Sequence, residues 1–287
     1  MTRTMKASLL DGKHVASVLQ IELQQKINIL LKEGVRPPGL AVILVGQDPA
    51  SAVYVQHKRR ACQEMGFYSE AYHLNADTTE TELLSLIKKL NDDPSIDGIL
   101  VQLPLPKHIN PEIIIEQIHP HKDVDGFHPY NLGRLAQGNP TLRPCTPYGI
   151  MMLLEYYQIA IAGQNAVVIG ASNIVGRPMA LELLNAKATV TICHRATHNL
   201  EEHIRQATLI IVAAGAQEVI KPEWLNPQQI IVDVGIHRLS DGTLRGDVNF
   251  TEAKQKVAWI TPVPGGIGPM TIQMLLENTF NCYCAHA

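Results

Sequence analysis

Short apolar runs alternate with longer stretches of helical periodicity along almost the whole chain, and this alternation restricts the fold more than any other feature. Val15, Val18, Leu19, Leu23, Ile27, Leu30 and Leu31 recur at helical spacing, and Gly34 follows as a stop. Residues 40–45 form an apolar run of the kind a buried parallel strand needs. Asp48-Pro49 supplies an N-cap and a first-turn proline for a helix to about Met65. Strands at 67–74 and 98–102 and helices at 79–91 and 111–118 follow. Residues 119–147, rich in Pro, Gly, Asn and His, read as an irregular connection, and residues 148–157 as a helix crossing between domains.

From Asn165 the alternation restarts. Strands are expected at 166–169, 189–193, 209–213 and 230–234, and helices at 177–184, 200–206 and 270–280. Two βαβ-rich halves imply an α/β protein of two domains flanking a cleft. The second is expected to be a Rossmann-like, doubly wound parallel sheet. The dividing point falls near residue 145, giving domains at 1–145 and 146–269.

Composition narrows the function classes. With 46% hydrophobic and 18% charged residues, the 287-residue chain has ample core. A net charge of −3 offers no basic field for nucleic acid or acidic lipid. No run approaches the roughly 18 apolar residues of a membrane span, and the first thirteen residues do not read as a signal peptide. The five cysteines contain no CxxC pair, which suits reduced thiols in the cytoplasm, and Cys282-x-Cys284 has no partner pair at zinc-site spacing. No metal site is expected.

In the second half, Gly170 and Gly176 lie between an expected strand and an expected helix. A glycine turn there lets backbone approach phosphates at a helix N-terminus, where free N–H groups and the dipole favour anions. Ser172 stands where a GxGxxG motif has its middle glycine, so the segment alone also reads as a plain turn between packed elements. NAD enzymes place Asp or Glu at the end of the second strand. Here that end reads Cys193-His194-Arg195, with no carboxylate before Glu201. A guanidinium suits a 2′-phosphate, so NADP is expected over NAD. Ala214-Gly215 and Gly235-Ile236 end later strands, at the edge where parallel sheets hold ligands.

In the first half, Tyr54 and Lys58 share one helix face. Taken alone, His57-Lys58-Arg59-Arg60 reads as a solvated basic face. The helix starts at the carboxyl end of a strand, however, and an amine in a partly dry cleft is a usable base or acid. Gln102 ends a strand and carries an amide that donates to one group and accepts from another. Asp123 and Asp125 lack the further acidic neighbours that metal or glycosidase chemistry requires. The run 261–271 packs three prolines and three glycines before an apolar helical pattern, which specifies one loop shape.

These segments together resemble the bifunctional methylenetetrahydrofolate dehydrogenase/methenyltetrahydrofolate cyclohydrolase family. The resemblance runs in order from about Leu9 to Phe280 through Tyr54-x-x-x-Lys58, residues 101–106, residues 123–127, residues 170–178 and residues 261–271. It implies oxidation of 5,10-methylenetetrahydrofolate with NADP and then hydrolysis to 10-formyltetrahydrofolate in one pocket. Lys58 would move the proton, Gln102 would orient it, Tyr54 would stack on the pterin and Asp125 would accept from the pterin's amino-amide edge. Pro264, Gly265 and Gly266 would lie against the folate. Gly170, Ser172, Ile174, Gly176, Arg177, Arg195, Ala214, Gly215, Ile236 and Thr271 would bind the cofactor. Asp123 is expected to be structural. Family members often carry Ser just before the arginine of the second strand, where this chain has His194. A helix at 270–287 packing on the first domain, and a homodimer, are further implications. Two other readings are an amino-acid- or shikimate-type dehydrogenase and a non-catalytic dinucleotide sensor, neither of which needs Tyr54, Lys58, Gln102 and Asp125 together.

Overall fold

The computed structural model describes residues 7–286. In chain order the elements are β1 (Ser8–Leu9), α1 (Gly12–Lys32), β2 (Gly39–Val45), α2 (Pro49–Glu64), β3 (Tyr68–Leu74), α3 (Glu80–Asp92) and β4 (Gly98–Val101). Next come α4 (Pro111–Gln117), α5 (Pro129–Ala136), α6 (Cys145–Tyr156), β5 (Asn165–Ile169), α7 (Gly176–Asn185), β6 (Thr189–Cys193), α8 (Leu200–Gln206) and β7 (Leu209–Val212). The chain finishes with β8 (Ile230–Asp233), β9 (His237–Arg238), β10 (Leu244–Arg245), α9 (Phe250–Ala253), β11 (Trp259–Ile260) and α10 (Ile267–His286). Among the described residues, one compact unit takes 19–145 and 272–286, and the other takes 7–18 and 146–271.

The first unit is built on a parallel sheet in the order β3-β2-β4. Its central strand β2 is buried along its whole length, as the uninterrupted run of Leu, Ala, Val and Ile requires. Ile43, Ile87, Ile99 and Ile114 bring strands and helices α3 and α4 into one core. Asp48 caps α2 by accepting from the Ser51 N–H at 2.8 Å, and Thr79 with Glu82 forms a capping box on α3. A parallel bridge from Ile99 to Asp123, with the Ile99 N–H on the Lys122 carbonyl at 2.7 Å, lays residues 122–125 beside β4.

The second unit carries six parallel strands in the order β1-β11-β8-β7-β5-β6. The order reverses between β5 and β7, so the sheet is doubly wound, with its topological switch point at the carboxyl ends of those two strands. Ile169, Ile210, Val212 and Ile231 are in its core. An antiparallel hairpin of β9 and β10 follows β8.

Three features differ from the sequence expectation. Residues 7–18, expected with the first domain, fall in the second unit, because Ser8 and Leu9 pair with Trp259 and Ile260. Two-residue strands carry no periodicity to read. The expected irregular stretch 119–147 contains α5 and the start of α6. There the His128 ring accepts the Tyr130 N–H at 3.0 Å and stands in for the usual Ser or Asp cap, so a proline- and histidine-rich segment turns helical. Helix α10 begins at Ile267, which draws Gly268 and Pro269 of the loop into its first turn.

Candidate active site

Helix α2 leaves the carboxyl end of β2, and this places Tyr54 and Lys58 one turn apart above that end of the sheet. Lys58 is buried, 7% exposed, and its Nζ donates to Gln102 Oε1 at 3.2 Å. Gln102 follows β4, and its N–H continues the ladder onto the Ile43 carbonyl at 2.9 Å. Its Nε2 donates to the Leu103 carbonyl at 2.7 Å, which fixes the amide so that Oε1, an acceptor, faces the amine. Gln102 therefore takes an N–H from Lys58 and leaves the amine's lone pair, when uncharged, free to accept a proton. Tyr54 is half-buried, and burial raises its phenol above the ordinary range.

The two carboxylates of the 122–125 segment have different surroundings. Asp123 is buried, and its Oδ2 accepts from the His128 N–H and from Asn131 Nδ2, both at 2.8 Å. These bonds tie down the start of α5. Asp125 stays partly exposed, its carboxyl is raised by desolvation, and the charge of Lys58 pulls it back down. Lys122, buried, donates to the carbonyls of Leu90, Asn91 and Asp93 at 3.1, 2.8 and 2.8 Å and closes the carboxyl end of α3. The segment is thus anchored on both sides of Val124. The thiols of Cys62 and Cys145, both within electrostatic reach of Lys58, are raised by burial, the first to about 12.

In the second unit, Gly170 leaves β5 with φ of +125°, and a Cβ on it would overlap the Ala213 carbonyl after β7. A Cβ on Gly176 would overlap the Gly170 carbonyl, so α7 starts directly on the turn. Ser172 Oγ accepts the N–H groups of Val175 at 3.2 Å and Gly176 at 3.4 Å, and its carbonyl accepts that of Arg177 at 3.0 Å. The expected free donors at this helix start are thus engaged by Ser172. The exposed groups there are Ser172 itself, Asn173, Ile174 and Arg177, whose Nε is anchored on the Ala171 carbonyl. Arg195 is exposed just past β6. Ala214, Gly215 and Ile236 follow β7 and β8, and Ile236 is exposed.

The proline- and glycine-rich loop belongs to this unit. Gly265 has φ of +99°, and its carbonyl accepts the Lys13 N–H at 2.9 Å. Pro264 is exposed and Gly266 buried. Thr271 Oγ1 bonds Thr146 Oγ1 at 2.9 Å. The peptide bonds before Pro104 and Pro264 are cis.

Buried charged groups beneath the strand ends escape the sequence reading. Asp233 Oδ1 accepts from Gly235 and Asp247, and Oδ2 from Val248, all at 2.9–3.0 Å. Gly246 lacks the Cβ that would meet this carboxylate. The single glycine before Asp247, Gly246, was the available signal, but only tertiary contacts give it meaning. Burial pushes the Asp233 carboxyl up to about 6 from 3.8. A carboxyl raised in the folded state favours folding below its unfolded value, and that contribution is lost as pH rises through about 6. Denaturant titrations from pH ~4 to ~7 should show this loss in the parent, and Asp233→Asn should remove about 2 kcal/mol of it. Identical pH profiles for the two proteins would refute the assignment.

Among the described residues, no cluster of His, Cys, Asp and Glu has the makings of a metal site, and no helix is long and apolar enough to cross a membrane.

The geometry supplies a buried amine held by a carboxamide, a carboxylate in its field, and a doubly wound sheet with a glycine turn at its switch point. Comparison with known proteins gives the same pairing. Residues 10–125 match the catalytic domain of tetrahydrofolate dehydrogenase/cyclohydrolase, and residues 144–287 match its NAD(P)-binding domain. The chain is 59% identical over 275 residues to the bifunctional protein FolD of Legionella pneumophila (strain Corby), covering 96% of this chain and 97% of that protein. The solved structure of the bifunctional enzyme FolD from Campylobacter jejuni is 52% identical with a TM-score of 0.95, over 97% of this chain and 99% of that one. FolD from Trypanosoma brucei, solved with NADP cofactor and inhibitor, is 36% identical with a TM-score of 0.94, over 98% of each chain. With both domain families matched in sequence and in fold over nearly its full length, the chain belongs to the tetrahydrofolate dehydrogenase/cyclohydrolase family.

Proposed function

We propose that this chain oxidises 5,10-methylenetetrahydrofolate to the 5,10-methenyl cation with NADP and hydrolyses that cation to 10-formyltetrahydrofolate, with Lys58 moving the proton. The observation that carries the proton role is the buried Lys58 amine donating to a Gln102 amide whose orientation Leu103 fixes.

The residues after β5, β6 and β7 fit a phosphorylated dinucleotide. Gly170 and Gly176 bring backbone close where side chains would collide, and Arg177 and Arg195 stand exposed beside them. These groups, with Ser172, Ile174, Ala214, Gly215, Ile236 and Thr271, would hold NADP, which would supply the nicotinamide acceptor for the hydride of the methylene carbon.

The methenyl product is a cation shared between two nitrogens. A charged Lys58 about 4 Å away would oppose it by roughly 4 kcal/mol at an effective dielectric near 20, so the amine acts uncharged. Water adds to the amidinium carbon, and one of its protons passes to the Lys58 lone pair. The C–N5 bond then breaks as the carbonyl forms. N5 takes a proton from the Lys58 ammonium, and the remaining hydroxyl proton leaves to solvent. Asp125 accepts from the pterin's amino-amide edge, Tyr54 stacks on the ring, and Pro264, Gly265 and Gly266 contact the folate.

Formation of reduced nicotinamide from NADP and methylenetetrahydrofolate, followed by decay of the methenyl absorbance, tests the paired activities. Arg195→Gln should raise the KM for NADP about 10- to 100-fold, the worth of one charged hydrogen bond, and leave that for NAD nearly unchanged. A parent enzyme that prefers NAD would overturn the Arg195 role.

We also infer a cytoplasmic homodimer. The unpaired cysteines favour the compartment. The edge strand β6, with Ile192 41% exposed, offers a surface for a second copy. Sedimentation equilibrium giving a monomer at micromolar concentration would exclude the dimer.

A further inference from the structure

We infer that Asp247, oriented by His237, is a positioning group that sets the shape of the backbone met by the dinucleotide. The inference rests on reading Ala214, Gly215 and Ile236 as cofactor-contacting residues.

Asp247 is fully buried, and one carboxylate oxygen, Oδ2, accepts both the Ala214 N–H at 2.8 Å and the Gly215 N–H at 2.9 Å. Two consecutive peptide planes converging on one oxygen have little freedom to rotate. The other oxygen, Oδ1, takes a hydrogen bond from His237 Nε2 at 2.7 Å. A carboxylate has no proton to give, so Nε2 carries the hydrogen whether the ring is neutral or charged. His237 directly follows Ile236. Through its two oxygens Asp247 therefore ties the turn after β7 to the segment after β8, which is the neighbouring strand.

The site is built to admit this carboxylate. A Cβ on Gly235 would overlap Asp247 Oδ1. The Asp247 N–H is held in turn by Asp233 Oδ1 at 3.0 Å, and the Asp247 carbonyl accepts the Val219 N–H at 3.3 Å, beyond the Ala214–Gly215 turn. Asp247 thus has its backbone fixed, its two oxygens divided between adjacent strand ends, and no part in proton transfer. His237 is the accessible end of this arrangement, with its side chain 21% exposed, so it is replaceable without opening the core.

The test compares His237→Leu, which removes the N–H donor, with His237→Gln, which keeps one at similar reach. Dehydrogenase activity is measured as a function of NADP, and hydrolysis of methenyltetrahydrofolate is measured with no dinucleotide present. His237→Leu should raise the KM for NADP about fivefold or more, the loss of one ordinary hydrogen bond, with a smaller change in kcat. Hydrolysis should stay within about twofold of the parent, and His237→Gln should recover most of the KM. An unchanged KM in His237→Leu would overturn the inference. So would an equal fall in both activities, which marks a general folding role, or a failure of His237→Gln to recover. A parent protein without NADP-dependent activity would instead sink the functional reading on which the inference stands.

Discussion

Lys58→Met is expected to lower the turnover of methenyltetrahydrofolate hydrolysis by about 10²- to 10⁴-fold, the range that a positioned proton-transfer group supplies. Methionine has similar length, and its apolar chain suits a position only 7% exposed, so the fold should survive. Gln102 keeps its own anchor on the Leu103 carbonyl, so the neighbouring geometry should hold with only the donor to Oε1 removed. Hydride transfer needs no proton acceptor, and a neutral side chain does not oppose the nascent cation. The dehydrogenase step should therefore fall less than hydrolysis. The two rates are separable by following reduced nicotinamide and the methenyl absorbance in parallel, with circular dichroism as the check on folding. Full hydrolysis in the variant would remove Lys58 from the mechanism.

Gly170→Ala should cost about 3 kcal/mol of stability and most of the dehydrogenase activity. A side chain at φ of +125° is strained by roughly 1–3 kcal/mol. The new Cβ also overlaps the Ala213 carbonyl, and forced overpacking adds about 1–3 kcal/mol. Neither neighbour moves freely. The Gly170 N–H is bonded to the Cys193 carbonyl, and the Ala213 N–H to the Ile169 carbonyl, both at 2.8 Å. The methyl group must therefore prise apart strand ends at the point where the sheet reverses its order. A thermal midpoint lowered by about 6–12 °C would accord with this cost. Loss of NADP-dependent turnover should exceed loss of hydrolysis, because Lys58 and Gln102 lie in the other unit. An unchanged midpoint would show that the turn relaxes at no cost and that the tight β5–β7 contact is not required.

What was legible in the sequence followed from long repeats and local chemistry. Of the seven strands of 4–7 residues, β2, β4, β5, β7 and β8 announce themselves by apolar runs, and helices such as α3 by amphipathic spacing. The Asp48 cap and the Gly170 turn are local, and their chemistry reads directly from the residues. The Tyr54–Lys58 spacing also placed both residues on one helix face, yet no local signal says that the amine is buried rather than solvated. Its neighbour Arg60, on the same helix, is exposed and pairs with Glu64. What distinguishes Lys58 is Gln102, forty-four positions away in sequence and brought near only by the pairing of β2 with β4. The same holds for Lys122, whose three carbonyl partners lie around thirty residues earlier. Strand β1 was invisible for a different reason, since a two-residue strand is defined wholly by the partner it meets.

The amino-acid- and shikimate-type dehydrogenase reading gives way to the family assignment, which spans both domains. The sensor reading gives no account of a buried lysine whose amide partner is itself immobilised.

Cys62, Cys145, Cys193 and Cys282 are buried, and burial holds each thiol in its protonated, poorly nucleophilic form. Peroxide or an alkylating agent in the surrounding medium meets Cys284 near the chain's end before any of them. Two of these sulfur atoms lie within electrostatic reach of the Lys58 amine, and burial shields both from attack for as long as the protein stays folded.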